Sequence, residues 1–107
     1  MNVAGTITAG TTPFKVYLLT GTLPSAGNGA IIDLPTGVTS ASVLSFTGQS
    51  YDGAGNGTLF TYSVSGDTTF FVGMYVKGTT NQIQINVPST STNAASKTYK
   101  ICVIAST

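Results

Sequence analysis

Histidine, tryptophan, glutamate and arginine are all missing from this 107-residue chain. Its ionic side chains are four lysines (Lys15, Lys77, Lys97, Lys100) and three aspartates (Asp33, Asp52, Asp67), for a net charge of +1. Without histidine, imidazole-based triads and imidazole metal sites are excluded. A glycosidase-type carboxylate pair would need two of three dispersed aspartates to converge. Asp52 and Asp67 each stand beside glycine, where aspartate caps the local backbone of a turn. Asp33 is expected to be outward and solvated, or paired with a lysine. No motif points to a Ser-Lys dyad, and no enzyme activity, metal or cofactor is expected. The lysines are scattered, whereas binding to nucleic acid needs clustered cations. The one cysteine, Cys102, excludes an internal disulfide; it lies in an apolar run and reads as a buried free thiol. No stretch is long enough to span a bilayer, and residues 1–10 have neither the basic start nor the apolar run of a signal peptide.

Low charge here does not mean disorder, because 41% of the residues are hydrophobic and the net charge is small. Short alternating or β-branched segments recur between turn residues, and none of useful length has helical periodicity. The pattern predicts strands over 3–8, 14–20, 30–34, 41–51, 58–65, 68–77, 82–87 and 96–105. In the fourth, Val43 and Ser45 are expected on one face and Leu44 and Phe46 on the other. The run Asp52-Gly53-Ala54-Gly55-Asn56-Gly57 is the strongest turn signal, since Gly and Asn tolerate positive φ. It predicts a long hairpin over 41–65. Ser65-Gly66-Asp67 and Gly78-Thr79-Thr80-Asn81 predict two further turns. Ile83, Ile85 and Val87 should point inward, and Gln82, Gln84 and Asn86 outward. About eight such strands predict a single all-β domain, an antiparallel β-sandwich of jelly-roll-like form.

Two segments are apolar on both faces. Tyr99, Ile101 and Val103 alternate with Cys102 and Ile104; behind Phe70, Val72, Met74 and Val76 lie Phe71 and Tyr75. A strand in a two-layer sandwich needs one apolar face. A central strand roofed by a loop would explain the second face, and so would a neighbouring subunit. The scarcity of charge favours the subunit, because interface cores are depleted in charge. Phe71, Tyr75, Tyr99 and Ile104 are the residues expected at such an interface.

Recognition is expected on loops carried by the rigid sheets. The candidates are 24–29, 51–57, 78–81 and 88–95, rich in Asn, Thr, Ser and Gly. Such groups hydrogen-bond sugar hydroxyls, and tyrosine can stack on a sugar face; the same tyrosines would serve equally as core or interface residues. On this basis Tyr51, Asp52, Asn56, Tyr62 and Tyr75 are the candidate contact residues.

The segment Ile31-Ile32-Asp33-Leu34-Pro35-Thr36-Gly37-Val38, followed by a long strand, a Gly-rich hairpin and the closing Tyr99-Lys100-Ile101-Cys102-Val103-Ile104, resembles the C-terminal tip domains of phage tail fibres and tailspikes. The resemblance spans most of the chain and brings no shared site motif. It implies a β-sandwich head, a homotrimer, and attachment to a host-surface glycan or outer-membrane protein. The corresponding location is the tail fibre tip of a virion, after synthesis in the host cytoplasm. Tips of this kind usually follow a stalk; none precedes the first strand here, as expected of a fragment or a separately made tip. Two other readings suit the same composition: a capsid decoration or other virion structural protein, and a carbohydrate-binding module.

Overall fold

The computed structural model describes residues 6–9, 12–62 and 68–107. Among the described residues, eight strands follow one another: β1 (Thr6–Ala9), β2 (Thr12–Thr22), β3 (Asn28–Asp33), β4 (Val43–Tyr51), β5 (Gly57–Leu59), β6 (Gly73–Lys77), β7 (Gln82–Val87) and β8 (Thr98–Ser106). A 3-10 turn, Ser40–Ser42, precedes β4. The strands form two antiparallel sheets, one of five strands in the order β1-β2-β8-β4-β5 and one of three in the order β3-β7-β6. The fold is therefore all-β, as the alternating pattern predicts.

The core lies between the sheets. Alternation along β7 buries Ile83, Ile85 and Val87, and alternation along β8 buries Tyr99, Ile101, Val103 and Ala105. Phe60, Val72, Leu23 and Leu34 close it, with Met74, Val76 and Phe46 packed against it. Each fully buried aliphatic side chain contributes about 1.5–3 kcal/mol relative to exposure.

The jelly-roll character comes from nested pairing. β2 pairs with β8 in one sheet and β3 with β7 in the other. The β2–β3 and β7–β8 connections cross between the sheets side by side. The Leu23 amide donates to the Lys97 carbonyl (2.8 Å), the Gly27 amide to Val87 (2.7 Å) and the Ser96 amide to Pro24 (3.2 Å). These bonds satisfy backbone groups that the crossing removes from the sheets.

Four local expectations need correction. The return strand expected over 58–65 ends at Leu59: the Phe60 amide still donates to Gly48 of β4, but its carbonyl accepts from Val72 instead of continuing the ladder. Phe60 is thus the last residue tied to β4, and its ring is buried in the core. The strand expected over 68–77 begins only at Gly73. A bulge between Val43 and Ser45 shifts the register of β4, so Val43 packs against the core and Leu44 stands exposed; Val43 and Ser45 do not share a face. Cys102 is free but only half-buried, because it points away from the core. The turn at 65–67 and residues 3–5 of the first expected strand lie outside the described residues.

Gly48 is fixed by a close approach. A Cβ on it would overlap the Phe60 ring, which is 2% exposed and would have to shift within the core. Gly48→Ala should therefore lower the unfolding free energy by about 1–3 kcal/mol in urea denaturation.

Candidate binding site

The connections divide between the two ends of the sandwich. The 78–81 turn packs on the 3-10 turn, where the Ser40 amide donates to Asn81 Oδ1 (2.9 Å) and Ser40 Oγ to the Gly78 carbonyl (2.9 Å). The 24–29 and 88–95 loops lie at the opposite end, joined by the crossover bonds. The 51–57 loop joins them, because Tyr51 pairs with Thr98 at the start of β8. Three of the four candidate loops are thus gathered at one end.

The 51–57 loop is organised by Asp52. Its Oδ1 accepts from the Ala54 amide (2.8 Å) and the Asn56 amide (3.2 Å), and its Oδ2 from Asn56 Nδ2 (2.8 Å). Gly53 and Gly55, at φ of 81° and 99°, supply left-handed conformations that side chains resist. The carboxylate is fully exposed, and its pKa is held below the ordinary aspartate value of 3.8, first by the Asn56 side chain and then by the two amides. Since the folded pKa is depressed, loop order contributed by Asp52 is present above 3.8 and lost as pH falls through the lower folded value. The amide NMR signals of Ala54 and Asn56 should titrate with a midpoint below 3.8, and Asp52→Asn should abolish that titration.

Beyond β5 the chain turns at Phe60-Thr61 and presents Tyr62, which meets Phe70 edge to face at 5.8 Å between centroids. Lys97 Nζ lies 5.7 Å from the centroid of the Phe70 ring. The Phe70 segment is tied to the 88–95 loop, where Asn93 Nδ2 donates to Thr69 Oγ1 (2.7 Å) and the Asn93 amide to the Thr69 carbonyl (2.9 Å). Between β5 and the aromatic pair opens a cleft of about 690 Å³, lined by Asn56, Thr58, Leu59, Thr61, Tyr62 and Phe70 together with Gly57. A smaller cavity of about 210 Å³ adjoins it between Asp52, Ser50 and Lys97. The cleft is of the size that holds small ligands. It offers hydroxyls, an amide and two aromatic rings.

Of the five candidate contact residues, the structure brings together Asp52, Asn56 and Tyr62. Both oxygens of Asp52 are engaged within its own loop, so it shapes the site. Tyr51 lies on the outer face of the five-stranded sheet, with Lys100 Nζ 4.4 Å from its ring centroid. Tyr75 lies on the outer face of the three-stranded sheet, where its hydroxyl donates to Gln84 Oε1 (2.9 Å). Phe70 and Lys97 were not singled out by sequence reasoning. The adjacent Phe70-Phe71 pair was the available signal, since one ring of such a pair faces away from the core.

The four residues expected at a subunit interface do not form one patch. Tyr99 is a correction: it is 8% exposed and faces the core, its ring occupying the space above Gly21. Phe71 and Tyr75 are exposed beside the three-stranded sheet. Ile104 lies on the outer face of the five-stranded sheet, opposite Val16 of β2 and next to Cys102.

The two described aspartates stand at opposite ends of the sandwich. Asp33 is exposed and accepts from Gln82 Nε2 (2.9 Å), and no group of three or more potential metal ligands occurs among the described residues. No family model, curated protein or solved structure matches the chain.

Proposed function

We propose that this chain is a receptor-binding tip domain of a phage tail fibre, acting as a homotrimer that takes a host-surface glycan into the cleft between β5 and the Tyr62–Phe70 pair. The observation that carries the binding reading is the convergence of three polar loops, with exposed Tyr62 set against half-buried Phe70, at one end of the sandwich. Amides and hydroxyls next to an aromatic ring suit a sugar, whose hydroxyls need directional partners and whose C–H face stacks on rings.

The trimer reading is supported by the outer face of the five-stranded sheet. Phe14, Val16 and Leu18 of β2 run beside Ile104 and Cys102 of β8, all half-exposed, with Lys100 the one ion in these two rows. Such a stripe suits burial against copies of itself. Three weak cleft sites on one particle gain roughly 10²- to 10⁴-fold in avidity where geometry allows simultaneous contact.

The test combines solution mass with pull-down on bacterial cells. A trimer that binds host cells is expected, with binding lost after periodate oxidation of the cell-surface sugars. Tyr62→Ala with Asn56→Ala should weaken cell binding at least tenfold while leaving the far-UV spectrum unchanged. A clean monomer at micromolar concentration would remove the trimer, and undiminished binding by the double variant would remove the cleft.

A further inference from the structure

The inner layer of the five-stranded sheet changes character at the loop end. Along β4, Phe46, Gly48 and Ser50 alternate onto one face, and Phe46 packs on the core. Ser50 pairs with Tyr99 of β8 on one side and with Thr58 of β5 on the other. Lys97 stands two residues before Tyr99, in step with the buried set of Tyr99, Ile101 and Val103. Where the aliphatic core ends, a serine, a threonine and a lysine thus take its place. All three line the cavity of about 210 Å³ beside the cleft, with Asp52, Asn56 and the Phe70 ring completing the wall.

The polar groups of this cavity have capacity to spare. Ser50 is 3% exposed, yet its hydroxyl makes no hydrogen bond with any other residue and keeps only the opening that the cavity gives it. A hydroxyl so deeply buried gains free energy from any partner that enters. Lys97 Nζ has no ion-pair or hydrogen-bond partner among the described residues and lies 5.7 Å from the Phe70 centroid. Asp52 Oδ2 accepts from Asn56 Nδ2 (2.8 Å) and retains a second lone pair.

Charge and size select the occupant. Lys97 and Asp52 line one small cavity with opposite signs. A carboxylate would be repelled by Asp52 and an ammonium by Lys97, whereas a neutral group with an acceptor and a donor is favoured by both. The volume falls short of the roughly 300 Å³ at which pockets for whole ligands begin, so the cavity suits a substituent and not a ring. Asn56, Thr58 and Phe70 also line the larger cleft, so a ring held there can direct a substituent inward.

We infer that this cavity is a subsite for the acetamido group of an N-acetylhexosamine whose ring occupies the cleft. The inference rests on the glycan reading above and narrows it to one class of sugar. The acetamido carbonyl accepts from Lys97 Nζ and Ser50 Oγ, its N–H donates to Asp52 Oδ2, and its methyl lies against the Phe70 ring.

The test applies the intact protein to oligosaccharides that share ring and linkage and differ only at the carbon next to the anomeric centre. One series has acetamido there (N-acetylglucosamine, N-acetylgalactosamine), one hydroxyl (glucose, galactose) and one a free amine. The acetamido series should bind about tenfold more tightly than the hydroxyl series, the scale of a hydrogen bond to a charged group. Ser50→Val fills the cavity and removes the hydroxyl; Lys97→Met keeps the stem and removes the ammonium. Each should abolish the preference, with binding of the hydroxyl series and the thermal transition retained. Tyr62→Ala should weaken both series alike and keep their ratio. Binding that depends on Tyr62 but ignores the substituent, a preference for the amine, or an acetamido preference unchanged in both cavity variants would overturn the subsite and leave the cleft standing. No sugar binding, or binding indifferent to Tyr62, would remove the cleft and the subsite with it.

Discussion

Ile101→Ala should lower the unfolding free energy by about 2–5 kcal/mol, read as a shift of the urea midpoint at unchanged slope. Ile101 is fully buried at the centre of β8, the strand hydrogen-bonded to β2 on one side and β4 on the other. Its partners across the sheet are Leu19 and Gly48. Gly48 has no side chain to move into a void, and the Phe60 ring is already held against that glycine. The cavity should therefore collapse poorly, which places the expected cost toward the upper part of the range. Domains of this size are held by only about 5–15 kcal/mol in total, so the variant should be visibly marginal at elevated temperature. A loss below about 1 kcal/mol would mean that β8 is not the centre of the core.

Three residues further along the same strand, on its other face, the effect should be of a different kind. Ile104→Asp is expected to convert the proposed trimer into a monomer while leaving the sandwich folded. The side chain is half-exposed beside Val16 and makes no contribution to the buried core. In a single chain the new carboxylate stays in water. Between subunits it would be buried without a partner, a change that costs several kcal/mol. Light scattering reads the mass, and far-UV circular dichroism reads the fold. Cys102 supplies a second readout on the same face: its thiol should react slowly with a maleimide in the assembled protein and quickly in Ile104→Asp. If the variant keeps the wild-type mass, or if Cys102 reacts at one rate in both, the five-stranded face is not where copies meet. Avidity on host cells should fall together with the mass, whereas binding of a single glycan to the cleft should not change.

Legibility in the sequence followed the range of the physics. The β7 strand runs from Gln82 to Val87 as its alternation predicts, with the inward and outward sets correct, because a period of two is a local property of the pleat. The Asp52–Gly57 turn was equally legible, since glycine at positive φ and an aspartate capping its own loop depend on nearest neighbours. The stretch after Leu59 was not. Its residues have strand propensity, but Phe60 gains more by turning into the core than by continuing beside β4, and nothing within a few residues signals that choice. The bulge at Leu44 was hidden for the same reason: an extra residue inverts a face without altering composition. Tyr99 was misread because a two-faced apolar strand does not announce which face looks inward.

Composition and period alone determined that this chain is an all-β sandwich of about eight strands, short of ions and without histidine chemistry. Those conclusions depend only on which groups are present and how they alternate. The tertiary structure decided what lies beside what: that three loops share one end, that Asn56 and Tyr62 meet at a cleft with Phe70 beside the loop Asp52 organises while Tyr51 and Tyr75 face elsewhere, and that Ile104 and Tyr75 stand on opposite outer faces. Such placements follow from the pairing of strands far apart in the chain, where β2 meets β8 and β3 meets β7. They are set by the free energy of closing one common core, which no short stretch of sequence contains.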